Sequence, residues 1–274
     1  MNLPGGILRG GQRLNDYSFK ALTGVEELAI AEAFGFSMLL PQRVTAVLAA
    51  ALDAIGGEAA TVADVRSLAV GDRQFLMQRL VAHLDVETGW LTAVCLHCEA
   101  PCDFPLRFAD LPCKPAGAGF PFATVHAAHG SATFRVPTGG DQEVLAAEGL
   151  EGPAALRRLV GLCLVESAAA FDVAQTSEAD LVQIDQALED VSPEAVTETT
   201  MVCPSCGEPT RAQLDVTAMP LSSADVLYQE VHRIASVYHW SEREILSLTR
   251  QRRQRYLALI ARQHGAVPAV RRSA

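Results

Sequence analysis

The sequence predicts a mixed α/β protein of the α+β class, built from two pseudo-symmetric lobes and a C-terminal helical segment. Two observations carry this prediction. Four features recur in the same order in the two halves of the 274-residue chain, including one C-x2-C pair in each half. Beyond residue 220, the composition changes from acidic to basic. We therefore assign the first lobe to 1–115, the second lobe to 116–220 and the helical segment to 221–274.

The internal repeat begins with a strand that leads into a helix. Residues 19–24 read Phe-Lys-Ala-Leu-Thr-Gly, residues 134–139 read Phe-Arg-Val-Pro-Thr-Gly, and acidic residues follow both. A later helix begins near Asp72 in one half and near Asp180 in the other, at the same spacing from the next cysteine pair. A period of about 110 residues is too long for a solenoid, so it indicates two lobes. Chance recurrence is the alternative, and the shared order argues against it.

Composition and charge limit the classes of function. Apolar residues make up 49% of the chain, which is enough for a substantial core. The net charge of −10 argues against a surface that binds nucleic acid or anionic lipid throughout, because both require a broad basic face. The N-terminus lacks an apolar signal segment, and no apolar run approaches the length of about 18 residues that spans a membrane. We therefore expect a cytoplasmic protein with no membrane partner.

The paired cysteines have the spacing of zinc ligands. Cys95 and Cys98 form the first pair, and Cys203 and Cys206 form the second. Each pair lies between two short β-prone runs, which is the strand, knuckle and strand pattern of a zinc ribbon. The seven cysteines are an odd number in a chain without a signal segment, so metal binding explains the pairs better than disulfides do. The two pairs together predict one tetrahedral zinc site, split between the lobes.

Three further cysteines leave alternatives to this ligand set. Cys102 and Cys113 lie near the first pair, and a local site of these four cysteines is a rival that leaves the second pair unused. Cys163 lies in an apolar run and is expected to be a buried core thiol. His97 is expected to be solvated rather than a ligand. An all-thiolate site lacks the open coordination position of a catalytic zinc, which indicates a structural role.

The C-terminal segment predicts amphipathic helices followed by an arginine-rich helix. Apolar residues recur at helical spacing between 227 and 238, and Ser241 with Glu244 forms a capping box for a short helix. A last helix is expected over 250–263. This region is basic although the remainder of the chain is acidic. The segment therefore differs from both lobes in charge and in structure.

The last helix contains the candidate partner contacts. Arg252, Arg253 and Arg255 can face outward if the apolar side chains of the same helix face inward, and arginine is enriched at protein interfaces. Trp240 at the helical corner is a further candidate contact, although core packing at this corner is the favoured interpretation. Arginine-rich helices also admit a zinc-containing nucleic-acid-binding protein as an alternative function, although no base-reading element can be identified.

Three segments together carry a family resemblance. They read Phe-Arg-Val-Pro-Thr-Gly-Gly-Asp at 134–141, Cys-Pro-Ser-Cys-Gly at 203–207, and Val-His-Arg-Ile-Ala-Ser-Val-Tyr-His-Trp-Ser-Glu-Arg-Glu-Ile-Leu at 231–246, with Arg-Arg and Tyr-Leu pairs following at 252–253 and 256–257. The chain thereby resembles the T-even-type bacteriophage baseplate protein family, which includes hub assembly chaperones and relatives encoded near contractile-tail genes. The match spans most of the chain. Its alanine enrichment and two extra cysteines after the first pair depart from the family.

The resemblance implies a non-enzymatic protein that helps to build the baseplate of a contractile phage tail or phage-like particle. Its expected partners are baseplate or tail proteins, with no small-molecule substrate. The sequence contains no G-x-S-x-G, no phosphate-binding glycine loop and no H-E-x-x-H, so no catalytic motif competes with this interpretation.

Overall fold

The structure is a computed structural model that describes residues 1–35, 38–84, 89–127, 130–167, 172–214 and 223–263. Helices and small antiparallel sheets alternate along the chain, which confirms the predicted mixed α/β class. The helices are α1 (Gly24–Gly35), α2 (Leu40–Ala51), α3 (Val62–Ser67), α4 (Val70–His83), α5 (Gly139–Glu148), α6 (Gly152–Cys163), α7 (Glu178–Val191), α8 (Ala224–Tyr238), α9 (Glu242–Leu246) and α10 (Arg250–Gln263). Among the described residues, no helix is both long and apolar enough to cross a membrane.

In the part of the chain that the structure describes, the strands form five small sheets, and every pairing is antiparallel. The strands are β1 (Asn2–Arg9), β2 (Gln12–Phe19), β3 (Leu52–Ile55), β4 (Glu58–Ala59), β5 (Gly89–Val94), β6 (Pro101–Leu106), β7 (Cys113–Lys114), β8 (Phe122–Ala127), β9 (Gly130–Arg135), β10 (Leu164–Ser167), β11 (Glu194–Ala195), β12 (Glu198–Val202) and β13 (Pro209–Gln213). The sheet orders within the described residues are β1-β2-β3-β4, β10-β9-β8, β11-β7, β12-β13 and β5-β6.

The chain divides into two compact units. Unit 1 comprises Met1–Phe19 with Met38–Pro220, and unit 2 comprises Lys20–Ser37 with Leu221–Ala274. The predicted boundary at 115 falls inside unit 1, and the predicted boundary at 220 lies outside the described residues. The C-terminal helices share their unit with α1, which the sequence analysis had assigned to the first lobe. The reason is that α1 supplies buried residues to the core of unit 2.

The same order of elements occurs in both halves of the chain before residue 214. Each half has a β hairpin, two helices, a strand that pairs back onto the hairpin, a 14-residue helix and a cysteine-bearing hairpin. The first half also has β4 and α3 between its returning strand and its 14-residue helix. The returning strands pair alike, because Phe19 lies opposite Leu52 and Phe134 lies opposite Leu164, and the register shifts next to both pairs. The sequence similarity between the halves therefore coincides with a similarity in the order and pairing of the elements.

A second internal similarity relates α3 and α4 to α9 and α10. Each short helix begins at a capping box, with Thr61 or Ser241 as the N-cap residue and an acidic residue three positions later. A Ser-Leu pair at 67–68 or 247–248 then leads into a 14-residue helix. Of these two capping boxes, only the one at Ser241 is among the sequence predictions.

In both copies, an arginine of the long helix is buried against the first glycine of another helix. Arg73 packs on Gly139 at the start of α5, and Arg253 packs on Gly24 at the start of α1. A Cβ atom at either glycine would overlap the guanidinium group. Each glycine N–H also donates to the carbonyl oxygen of the leucine in the Ser-Leu pair, at 3.1 Å in both copies. A Thr-Gly start therefore lets a guanidinium group approach the helix end closely.

The core of unit 2 combines apolar packing with a buried ion-pair network. Ile234, Ile245 and Ile260 form the apolar cluster. The guanidinium group of Arg253 is 0% exposed, and it donates from Nε to Glu230 Oε2 and from Nη2 to Glu27 Oε2, each at 3.0 Å. Arg250 Nε donates to the same Glu27 oxygen at 3.0 Å. The two carboxylates thus compensate for the desolvation of the arginine.

We predict that Glu27→Gln lowers the free energy of unfolding of unit 2 by about 3 kcal/mol, because removing one partner of a buried ion pair leaves the other charge uncompensated. The matched control is Glu32→Gln, which removes an exposed carboxylate of the same helix that accepts a hydrogen bond from Tyr228. Hydrogen exchange of the α8 to α10 amides would measure the loss. Equal exchange rates in the two variants would contradict the prediction.

Asp72 joins α4 to β1 in unit 1. The side chain is 0% exposed, Oδ1 accepts from Gly5 N at 2.7 Å, and Oδ2 accepts from Gly6 N at 2.9 Å. Burial raises the pKa of Asp72 from 3.8 to about 6, although the two backbone N–H groups and the charge of Arg13 act in the opposite direction. Folding therefore favours the protonated carboxyl group.

This shift predicts a pH dependence of stability. Because the folded pKa exceeds the unfolded pKa, the contribution of Asp72 is present below pH 3.8 and is lost as the pH rises through about 6. The loss is at most about 3 kcal/mol. Urea unfolding across this window should show that the stability of the wild type falls relative to that of Asp72→Asn as the pH rises. A stability difference between the wild type and Asp72→Asn that does not change with pH would refute the raised pKa of Asp72.

Candidate metal centre

The four predicted ligand cysteines meet in one cluster. The sulfur atoms of Cys95, Cys98, Cys203 and Cys206 all lie within 4.8 Å of one another. Cys95 Sγ lies 3.7 Å from Cys206 Sγ, and Cys98 Sγ lies 3.7 Å from Cys203 Sγ. A tetrahedron with metal–sulfur bonds of about 2.3 Å has sulfur–sulfur edges of about 3.8 Å. The cluster therefore has the dimensions of a four-thiolate metal site.

Each cysteine pair lies in the turn of a two-stranded hairpin. The first turn follows the pairing of Val94 with Pro101 between β5 and β6, and the second follows the pairing of Val202 with Pro209 between β12 and β13. In both turns, the N–H of the first cysteine donates to the carbonyl oxygen five residues later, at 3.0 and 2.9 Å. Its own carbonyl oxygen accepts from the N–H four residues later, at 3.0 and 2.9 Å. The two turns therefore share one backbone design.

The residue after the second cysteine of each turn adopts a left-handed conformation. It is Gly207 in the second turn, with φ at 78°, and Glu99 in the first, with φ at 56°. Glycine adopts this conformation without a steric cost, whereas a residue with a Cβ atom is strained there. The second turn thus has the less strained sequence for this geometry.

Backbone amides in the turns favour the thiolate form of the first cysteine in each pair. The N–H groups of Cys98 and His97 lower the pKa of the Cys95 thiol. The N–H of Cys206, with that of Ser205, lowers the pKa of the Cys203 thiol to about 6. Thiolate is the form that binds metal, so the turns prepare these sulfur atoms as ligands.

One hydrogen bond joins the two turns independently of any metal. Thr210 on β13 is 2% exposed, and its Oγ1 accepts from Leu96 N at 3.1 Å. Cys102 holds the equivalent position in the first hairpin, four residues after the second ligand cysteine. In the second turn, the residue equivalent to the donor Leu96 is Pro204, which has no N–H. The Cys102 Sγ instead lies 3.5 Å from Cys203 Sγ.

The rival local ligand set is not brought together. Cys102 is buried beside the cluster but is not one of the four sulfur atoms within 4.8 Å of one another. Cys113 lies on β7, where its Sγ contacts the Lys114 carbonyl oxygen at 3.6 Å. The chain folds so that the second turn, rather than these residues, completes the cluster. His97 is exposed, and Cys163 is 0% exposed in the apolar core, as we expected.

The candidate partner contacts fall into different environments. Arg252 and Arg255 are exposed on α10. Arg253 was expected to face outward, and this was wrong, because its guanidinium group is buried between two carboxylates. Trp240 is half-buried and packs against Tyr238 and Tyr256, with ring centroids 5.2 and 5.0 Å away. Two arginines of the predicted contact set are thus on the surface.

The geometry of the cluster suits a structural metal ion. Four thiolates can complete a tetrahedron, so no coordination position remains for a substrate or a water molecule. Cys95 and Cys203 are each 1% exposed, whereas Cys98 and Cys206 face solvent. Soft sulfur ligands in this geometry are typical of zinc and of iron. An ion bound here would link hairpins that are more than a hundred residues apart in the chain.

Comparisons with known proteins provide no relative from which a function can be transferred. No family model, no curated protein and no solved structure matches the chain. The proposals below therefore depend on the residues of this chain and on their arrangement.

We predict that Cys203→Ser lowers the metal content and the melting temperature more than Cys163→Ser does. The first substitution removes a ligand and weakens the whole site, whereas the second changes a core thiol outside the cluster. Cys102→Ser is a closer control, because it alters a buried sulfur next to the cluster without removing a ligand. Metal analysis and calorimetry would measure both effects. Equal melting temperatures for Cys203→Ser and Cys163→Ser would count against the site.

Proposed function

We propose that the protein is a non-enzymatic assembly factor or component of the baseplate of a contractile phage tail or phage-like particle, with one structural zinc ion. The baseplate assignment rests on the resemblance in segments 134–141, 203–207 and 231–246. The four-cysteine cluster carries the metal assignment, because its sulfur spacing matches a tetrahedral thiolate site. On this proposal, the zinc ion clasps the two hairpins and the surface of the protein makes the functional contacts.

Zinc is proposed over other metals on the chemistry of the ligand set. Four thiolates from two knuckle turns are the usual ligands of structural zinc, and the closed tetrahedron leaves no role for the ion in catalysis. We further infer that the two halves arose by duplication. The matching strand pairs and the two matching backbone hydrogen bonds within each turn support this inference. The split zinc ribbon would then combine two half-sites, one cysteine hairpin from each duplicated half.

Two of the resembling segments supply buried residues to the fold. In 134–141, Arg135 forms two hydrogen bonds with Asp141, at 2.6 and 2.7 Å, and Asp141 also accepts from Thr138 N. Segment 231–246 supplies the buried Ile234 and Ile245. These residues stabilise the fold, so the partner contacts must come from exposed neighbours. Arg252 and Arg255 are such neighbours, and their planar guanidinium groups can pair with carboxylates of a partner.

A zinc-containing nucleic-acid-binding protein is the second candidate function. The exposed Arg252 and Arg255 favour it, because arginine also pairs with phosphate. Arg250 and Arg253 contribute less to such a surface, since both are paired with Glu27. The net charge of −10 also disfavours non-specific binding to a polyanion.

Co-expression with baseplate and tail proteins from the same source genome would test the proposed function. We predict that at least one of them co-purifies with the chain, and that the double substitution Arg252→Glu and Arg255→Glu weakens this binding about ten-fold or more. The exposed side chains allow the change without loss of folding, which circular dichroism and zinc content would verify.

The matched control makes the same charge change on unit 1, with Arg107→Glu and Arg211→Glu. It should leave the binding unchanged. If no tail protein co-purifies, the baseplate assignment fails, and DNA binding at physiological salt would favour the second candidate instead. A search for the chain in finished particles would distinguish a component from an assembly factor.

A further inference from the structure

A groove runs between α4, α5, α6 and α7 in unit 1. Its largest chamber has a volume of about 460 Å³, which is in the size range of small-molecule sites. A second chamber of about 140 Å³ shares Val70, Gln74 and Gln142 with the first. A third chamber of about 110 Å³ shares Pro137 and Leu159 with the first. The three chambers therefore adjoin one another along a largely apolar groove.

A buried cation lines the second chamber. Arg73 is 1% exposed, and its Nη1 and Nη2 atoms donate to the Thr45 hydroxyl and to the carbonyl oxygens of Val65 and Pro41. None of these acceptors carries a charge. Burial lowers the pKa of Arg73 to about 10, so the group still carries its charge at neutral pH.

One donor of Arg73 is not used. The Nε atom is buried and has no hydrogen-bond partner among the described residues. The neighbouring carboxylate, Glu143, accepts from the Thr45 hydroxyl at 2.5 Å and pairs with Arg66 at 2.9 Å. Glu143 is therefore linked to Arg73 indirectly, through the hydroxyl group of Thr45. A buried donor without an acceptor is destabilising, and a ligand with an acceptor group would relieve this.

The equivalent arginine of unit 2 has carboxylate partners at both Nε and Nη2. Arg253 packs on the first glycine of α1 as Arg73 packs on the first glycine of α5, yet its Nε donates to Glu230 and its Nη2 donates to Glu27. Glu27 is the fourth residue of α1. The fourth residue of α5 is Gln142, which is neutral and lines the groove. The two equivalent arginines therefore differ in their surroundings. Arg253 has carboxylate partners in unit 2, whereas Arg73 lines a groove in unit 1.

We propose that this groove binds a small apolar carboxylate, whose carboxylate group pairs with Arg73 in the second chamber while its apolar tail occupies the larger chamber. The narrow second chamber favours a slim free carboxylate over an acidic side chain that is attached to a protein backbone. Glu189 and Glu194 line the opposite part of the groove and disfavour a second anionic group there. The ligand is therefore a monocarboxylate with an apolar tail, and this inference is independent of the baseplate assignment.

Octanoate is a suitable probe, and octanamide is its neutral control of nearly the same shape. Titration of the full chain should show binding of octanoate at least about ten-fold tighter than binding of octanamide. The side-chain Nε–H resonance of Arg73 should shift with octanoate and not with octanamide, because only the carboxylate forms a charge-assisted hydrogen bond. Leu145→Trp, which fills the larger chamber, should weaken octanoate binding and leave the four-cysteine cluster unchanged.

Gln142→Glu provides a test that does not depend on disrupting the fold. It places a carboxylate at the position of Glu27, which pairs with Nη2 of Arg253 in unit 2. The negative charge beside Arg73 should raise the melting temperature of the free protein and exclude octanoate. Equal binding of octanoate and octanamide by the wild type would overturn the proposal. Undiminished octanoate binding by Gln142→Glu would also overturn it.

Discussion

The convergence of two short cysteine turns is the constraint on which the larger unit depends. Cys95 and Cys206 are 111 residues apart, and their sulfur atoms approach to 3.7 Å. Every element between them must place the second hairpin within reach of the first. Thr210 supports this approach, because its hydroxyl oxygen accepts from the backbone N–H of Leu96 in the first turn. A metal ion bound by the four thiolates would add ligand bonds to this contact.

Buried arginines form a second organising feature, and they occur in equivalent settings in the two units. A guanidinium group can lie on a helix start only where the first residue is glycine, as at Gly24 and Gly139. The two settings differ in charge compensation. Arg253 has two carboxylates, whereas Arg73 has neutral acceptors and one unused donor. The same backbone arrangement thus serves as a core contact in unit 2 and lines a groove in unit 1.

The proposed structural metal and the proposed carboxylate site place different demands on the chain. A closed thiolate cluster stabilises the fold and takes no part in a reaction, so it is compatible with a function that the surface of the protein performs. The groove is at a different place from the cysteine turns, and its lining comes from α4 to α7. The exposed Arg252 and Arg255 belong to unit 2. Stabilisation, ligand binding and partner contact can therefore be altered separately by substitution.

The sequence by itself determined the mixed α/β class, the repeated Thr-Gly helix starts and the four cysteines, because each depends on local spacing. It also excluded Cys163 from the cluster, since an apolar run predicts burial. Only the tertiary structure decided that Arg253 faces inward, because the acceptor Glu27 lies 226 positions away. The Ser-Leu pairs that precede Arg73 and Arg253 indicate, from the sequence, that the two arginines are equivalent. The sequence does not indicate the charged groups around each arginine, because charge compensation depends on which distant helices pack together.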